Sequence, residues 1–259
     1  MLSRKDIEAY IGILGKHVGQ VELNYLQHLL LLSIYSEGES KNMVFKGGTA
    51  LQKIGMVRRF SEDIDFTSTL DRNVFGKILP FASSRVSRLE FVSSYSISRD
   101  NPQETTFKLR LKRPIYLSTS SEKSIATVRA EISNREDIVM KPRVVNIVPA
   151  YPDIPPYAIM LMDYKEIIAE KVHAIITRNK SRDVYDLWVL LKRGYAIDYA
   201  IVDREMAIYE DAKKLSKAII KEKIREKEGD WISKMRDLLY ADNVIPKFSE
   251  VYSFLSKSI

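Results

Sequence analysis

The chain has 259 residues, 45% hydrophobic and 29% charged, enough for a sizeable core as one large domain or two smaller ones. It has no cysteine, which excludes disulfides, thiol nucleophiles and cysteine-based zinc sites and fits a reducing, cytoplasmic setting. Its net charge of +7 favours an anionic partner such as RNA, though many basic proteins bind no nucleic acid. No apolar run approaches the roughly 18 residues of a membrane span, and the opening MLSRKDIEAY lacks a signal peptide's apolar segment. His17, His28 and His173 lack metal-ligand spacing and read as structural.

Residues 3–14 read as a short helix and 21–36 as a longer one, with Leu23, Leu26, Leu30 and Ile34 near one stripe. A strand over residues 43–45 ends at Gly47-Gly48, and a short helix follows over 49–55. Thr49 and Gln52 suit a capping box there, compatible with a hydroxyl proton aimed at a phosphate. The next strand, over 64–67, is entered through Asp63. Residues i and i+2 of a strand share a face, so Asp63 and Asp65 project together while Ile64 and Phe66 enter the core. Two carboxylates on one face repel unless a cation lies between them, and oxygen-only ligands favour Mg²⁺ or Mn²⁺. Gly47 and Gly48 let backbone N–H groups approach a phosphate closely. The plain alternative for the two aspartates is a solvated strand end. GGT at 47–49, thirteen residues, then DID at 63–65 resembles motif I of the nucleotidyltransferase superfamily, GG[ST]…[DE]x[DE]. The fuller string KGGTALQK…RRFSEDIDF is similar to the AbiEii/AbiGii-type toxin family, which includes the MenT toxins. Arg59 and Ser61 belong to that string; Arg59 suits a nearby carboxylate as well as it suits a substrate.

Asp71 reads as the N-cap of a helix over 72–86, and three strands follow, over 90–98, 106–112 and 125–133. In the second, Phe107, Leu109 and Leu111 alternate with Lys108, Arg110 and Lys112, so one face is apolar and the other basic. That basic face is a solvated surface or a contact for nucleic acid or triphosphate, the former being favoured. The superfamily places a third carboxylate on a strand beside the DxD pair, which the resemblance assigns to Glu131. Two metals about 4 Å apart need more than two carboxylates. An ion pair of Glu131 with Arg129 or across strands is the alternative. Residues 144–148 read as a last strand.

Tyr151-Pro-Asp-Ile-Pro-Pro156 is the clearest boundary, because its prolines cannot continue a helix or a central strand. Residues 1–150 are expected to form a nucleotidyltransferase-like core with N-terminal bracing helices. Residues 157–259 are expected to form a nearly all-helical part completing the cleft. Asp163 and Glu166 suit a capping box for a helix over 164–178, with Ile168, Val172 and Ile175 on its core face and Lys171 on the flank. After a turn at Asn179-Lys180, Ser181 suits the N-cap of a helix over 182–191, with Val184, Leu187, Trp188 and Leu191 as core. This pair resembles the family's second signature, EK…R…RDxxDL. It implies that Lys171 binds nucleotide phosphates, with Arg178 and Arg182 nearby, and that Asp186 or Asp183 supports the site. The plain readings are a snorkelling Lys171 and an i,i+4 Arg182–Asp186 pair worth a few tenths of a kcal/mol. Over residues 203–228, Lys214, Lys217, Lys221 and Arg225 share a helical face, but Glu222, Glu226 and Glu228 intervene, so a solvated face is favoured. Helices over 230–240 and 247–256 close the chain.

The expectation is therefore an α+β fold: a mixed, nucleotidyltransferase-like sheet with flanking helices, then a mostly helical C-terminal part. The resemblance implies a metal-dependent nucleotidyltransferase, the toxin of a toxin–antitoxin pair opposed by an AbiEi-like antitoxin or another partner encoded beside it. Asp63, Asp65 and Glu131 would hold Mg²⁺ or Mn²⁺; Gly47, Gly48, Thr49 and Lys171 would hold a nucleoside triphosphate. MenT-type relatives imply the 3′ end of tRNA as acceptor. The alternatives are a protein or small-molecule hydroxyl as acceptor, phosphoryl transfer, and a non-catalytic nucleotide-binding module.

Overall fold

The computed structural model describes residues 2–68, 72–87, 92–101, 103–111, 126–134, 138–208, 216–240 and 243–259. The expected cap at Asp71, the first residues of the strand over 90–98, Lys112 and Lys214 lie outside them.

The centre is a mixed sheet. Its strands are β1 (Met43–Lys46), β2 (Asp63–Ser68), β3 (Val92–Asn101), β4 (Glu104–Leu111), β5 (Ala126–Ser133), β6 (Arg143–Ile147) and β7 (Tyr157–Leu161). Among the described residues their order is β3-β4-β5-β2-β1-β7-β6. β2 runs parallel to β5 and antiparallel to β1, while β7 lies parallel to β1. The period-2 pattern read from the sequence sets which side is buried: Ile64, Phe66, Phe107, Leu109, Leu111, Val128, Ala130 and Ile132 are all fully buried. The long helix α2 (Val18–Tyr35), which follows the short α1 (Arg4–Glu8), brings Tyr35 against Phe66, and Phe66 packs on Phe45. α4 (Arg72–Ser87) packs beside α2 and against β3, and α3 (Gly47–Lys53) joins β1 to the loop before β2.

One expectation changes here. The chain after residue 156 is not helical at once: Tyr157–Leu161 is a strand, β7, and it enters the sheet between β1 and β6. Five residues, largely alternating between buried and exposed, are too short a run to stand out in the sequence, and pairing with β6 and with Phe45 of β1 makes them a strand. The proline segment before it is pinned to the N-terminal helices. The Tyr151 hydroxyl donates to the Val21 carbonyl (3.2 Å) and lies 3.1 Å from Asn24 Oδ1, Tyr25 donates to Asp153 (2.8 Å), and Tyr10 donates to the Ala150 carbonyl (3.0 Å). His28, buried, meets the Tyr157 hydroxyl at 2.8 Å.

The remaining helices are α5 (Tyr164–Thr177), α6 (Ser181–Lys192), α7 (Tyr199–Ile208), α8 (Lys217–Arg225), α9 (Trp231–Leu238) and α10 (Phe248–Ser258). Asp163 caps α5 by accepting from the Lys165 N–H (2.9 Å), but Glu166 does not close the box, because its carboxylate accepts from the Val139 N–H (2.6 Å). α6 begins one residue earlier than expected; Ser181 donates to Asp230 (2.8 Å) rather than capping its own helix. The C-terminal helices pack around α5 and α6, and buried Trp231 donates to the Pro246 carbonyl (2.8 Å) and meets Phe248 edge-on.

Trp231→Ala removes the largest fully buried side chain and leaves a cavity. The expected cost is about 3–5 kcal/mol, read as a lowered urea midpoint.

Candidate active site

The first turn of the site is shaped by close approach. β1 delivers Lys46 opposite Asp65 in register, and the backbone then turns at Gly47 with φ +74° into α3. A Cβ on Gly47 would stand 2.5 Å from Asp65 Oδ2, and one on Gly48 would overlap the Arg59 guanidinium and crowd Ser61 Oγ. Only glycine leaves room for both side chains. The helix thus begins at Gly47, two residues before the expected cap, and Lys46 is its N-cap. Thr49 is fully buried and its hydroxyl donates to the Asp63 carbonyl, tying α3 to β2 rather than facing the open side. Gln52 donates to the Tyr240 hydroxyl (2.5 Å) instead of closing a capping box.

Asp63 and Asp65 lie on the polar face of β2, as the alternation requires. The parallel register places Arg129 opposite Asp63 and Glu131 opposite Asp65. Burial pushes the Asp65 carboxyl up to about 6, with the charges of Glu131 and Asp63 adding to the rise and those of Lys46 and Lys171 opposing it. Glu131 also forms the ion pair with Arg129 that the sequence left open. As placed, no three His, Asp or Glu side chains among the described residues converge on one metal position. The donor set still suits a hard divalent cation. Three carboxylates from two adjacent strands border one cleft, and their mutual repulsion is what such an ion would relieve.

Behind this face runs a chain of alternating charges. Arg59, 1% exposed, grips the fully buried Asp186 through two 2.6 Å contacts. Asp186 also meets Lys171 at 2.8 Å; Lys171 meets Asp183 at 3.0 Å; Asp183 accepts two 2.9 Å bonds from Arg178. Burial pushes the Asp183 and Asp186 carboxyls up. Lys171 and Arg178 for Asp183, and Arg59 and Lys171 for Asp186, more than offset this and hold both below the usual carboxylate range. Lys171 is not a snorkelling edge residue, since it is 5% exposed with its ammonium between two carboxylates. The i,i+4 pairing of Arg182 with Asp186 is not made; Asp186 turns to Arg59 and Lys171 instead.

A cleft of about 500 Å³ collects these parts. One side is the sheet, with Asp63, Asp65, Arg129 and Glu131; the other is α5, α6 and their link, with Lys171, Arg178, Lys180 and Arg182. Gly47 and Gly48 border it, whereas Thr49, Asp183 and Asp186 are buried out of it. Asp186 therefore reaches the cleft only through its contacts with Arg59 and Lys171. Sequence reasoning missed the Lys46–Glu170 pair (2.5 Å), which ties α5 to the head of the glycine turn, and the cleft residues Glu104, His173 and Glu205. Lys46 and Glu170 each adjoin a recognised motif residue, but no spacing rule joins positions 124 apart; Glu104 and Glu205 adjoin none. It also missed the return of the C-terminal segment. The Phe60 N–H donates to the Leu238 carbonyl (2.8 Å), and Asn243 donates to the Arg58 carbonyl (2.6 Å), holding the loop that carries Arg59.

The family model described as "Nucleotidyl transferase AbiEii toxin, Type IV TA system" matches residues 29–253, well over half of the chain. A comparison with curated protein sequences finds no match. Among solved structures, JHP933 from Helicobacter pylori superimposes with a TM-score of 0.59 at 19% identity, over 92% of this chain and 89% of that one. MenT4, a nucleotidyltransferase toxin from Mycobacterium tuberculosis H37Rv, gives 0.56 at 15% identity, over 100% of this chain and 88% of that one. At these identities the likeness shows a shared fold.

Breaking the buried charge chain is expected to be costly. Asp186→Ala leaves buried Arg59 without its carboxylate partner and Lys171 with Asp183 alone, and should lower unfolding free energy by about 3–5 kcal/mol in a urea titration. The pH dependence has a definite sign. Both carboxyls lie below their unfolded value of about 3.9, so their stabilisation is present above it and is lost as pH falls through the folded values. Thermal midpoints should therefore fall below about pH 4. Asp183→Asn, less stable at neutral pH, should show a shallower fall.

Proposed function

We propose that this chain, which belongs to the AbiEii family of nucleotidyltransferase toxins, transfers a nucleoside monophosphate from a nucleoside triphosphate to a hydroxyl at the end of an RNA. The observation that carries this reading is the pairing of Asp65 with Glu131 on adjacent strands, directly under the Gly47 turn and facing the basic wall of α5 and α6. Asp63 and Asp65 would hold Mg²⁺ or Mn²⁺, joined by Glu131 once its carboxylate leaves Arg129. When bound, such ions offset the like charges of the carboxylates and stabilise negative charge on entering and leaving oxygens.

The chain's own residues do the rest. The Gly47–Gly48 backbone gives the phosphates a close approach. Arg178 and Arg182 face the triphosphate across the cleft, and Lys171 supplies a point charge held in place by Asp183 and Asp186. The acceptor hydroxyl attacks the α-phosphorus in line; a P–O bond forms to the acceptor, the bond to the β-phosphate oxygen breaks, and pyrophosphate leaves. A carboxylate oxygen of Glu131 is the acceptor for the hydroxyl proton. The family's description as a toxin–antitoxin system supports an antitoxin partner, and the motif strings similar to those of MenT-type toxins are the ground for taking the 3′ end of tRNA as acceptor.

The test incubates the protein with Mg²⁺, total tRNA and each α-³²P-labelled triphosphate, with Asp65→Asn as control. Label on tRNA from wild type alone is the expected result. Label on protein would move the acceptor to a protein hydroxyl, and label appearing only from γ-³²P substrate would mean phosphoryl transfer. Asp65→Asn should also raise the thermal midpoint in chelator while abolishing transfer. It removes a charge that burial, Glu131 and Asp63 all oppose.

A further inference from the structure

The carboxylate centre has basic groups on two sides, and the nucleotide accounts for one. On the helical side stand Lys171, Arg178, Lys180 and Arg182. On the sheet side, register continues the polar face outward from Asp63: Asp63 lies opposite Arg129, Arg129 opposite Lys108, and Lys108 opposite Ser96. The adjoining row sets Thr127 opposite Arg110 and Arg110 opposite Ser94. With neighbouring strands about 4.8 Å apart, Arg129 and Lys108 stand about 5 and 10 Å across the sheet from Asp63. Arg110, Thr127, Ser94 and Ser96 are exposed, and Lys108 and Arg129 are half-buried. The described side chains on these rows are charged or hydroxylic.

We propose that this face of β4 and β5 is the docking track for the single-stranded end of the RNA acceptor. Lys108, Arg110 and Arg129 contact its backbone phosphates and lead the terminal hydroxyl to Asp63 and Asp65. The assignment rests on the nucleotidyl-transfer reading and adds the route of the second substrate. Cations interleaved with hydroxyls are what a sugar–phosphate backbone needs. A protein partner would call for an apolar anchor at the centre of the patch, and these rows offer none among the described residues. Tyr95, the exposed aromatic of β3, pairs with Leu109 and packs on Phe107, so it belongs to the other face. Contacts to phosphate alone make the track tolerant of sequence. Glu104 and Glu131, next along the same face, bound it with negative charge and keep phosphates on the Arg129 side.

The experiment measures binding of a short fluorescein-labelled single-stranded RNA to the intact protein by anisotropy over a range of KCl. Lys108→Gln/Arg110→Gln is compared with Lys217→Gln/Lys221→Gln on α8, which removes the same charge elsewhere. The sheet pair should weaken binding about tenfold and reduce the slope of log affinity against log salt by about 1.4, two phosphate contacts at about 0.7 each. The α8 pair should match wild type. Equal losses in both pairs, no loss in the sheet pair, or equally effective competition by poly-glutamate would overturn the track. Arg110→Glu alone, at an exposed position, should give the same direction of effect in a variant that preserves the strand. The transfer assay separates the two readings. Wild type that binds RNA through the sheet pair but labels none sinks nucleotidyl transfer and leaves the track. Transfer with an acceptor KM unchanged by the sheet pair sinks the track alone.

Discussion

The structure depends on the alternating chain Arg59–Asp186–Lys171–Asp183–Arg178. Its inner members are buried, so each charge has given up water and is stabilised only by its neighbours. Such networks cost desolvation, and a hydrophobic replacement of similar volume is often as stable. What this one adds is position. Arg59 sits on the loop that enters β2, Lys171 and Arg178 on and at the end of α5, and both aspartates on α6. One set of contacts therefore fixes the loop before the Asp63–Asp65 strand against the two helices that form the opposite wall of the cleft. The glycine at position 48 belongs to the same device, because a side chain there would displace the guanidinium.

In front of that chain the balance is reversed. Asp65 is pressed by burial and by Glu131 and Asp63, a local conflict the fold tolerates because the sheet register over-determines where the carboxylates stand. Lys46 relieves part of it and is itself held by Glu170. The site thus consists of a buried layer of paired charges supporting an open one in which Asp65 is crowded by the like charges of Glu131 and Asp63. That division is compatible with the proposed binding of a divalent cation and a triphosphate. It also explains why Asp183 and Asp186, the conspicuous acids of the second motif, lie behind the cleft while Asp63 and Asp65 lie in it.

Much of this was legible in residue order. The i, i+2 rule placed Asp63 and Asp65 together and sent Ile64 and Phe66 inward, and both hold in the structure. The periodicity of 168, 172 and 175 gave the buried face of α5, and the alternation over 106–111 gave the two faces of β4. Local capping was read less well. Thr49, Gln52, Glu166 and Ser181 all had spacing suited to helix caps, yet each bonds elsewhere, to Asp63, Tyr240, Val139 and Asp230. A capping box is worth about a kcal/mol, so a tertiary partner of similar strength redirects the side chain.

By itself the sequence determined the elements that rest on short-range periodicity: the carboxylate pair on one strand face, the glycine turn before it, and the apolar stripes of the helices. The AbiEii family was visible for the same reason, because its motifs are contiguous strings. Tertiary structure alone decided which charges meet: Arg59 with Asp186, Lys46 with Glu170, Asp65 beside Glu131, and β7 beside β1. Such pairs join residues far apart in sequence. Their strength comes from burial in a shared low-dielectric interior, which exists only once the chain has folded.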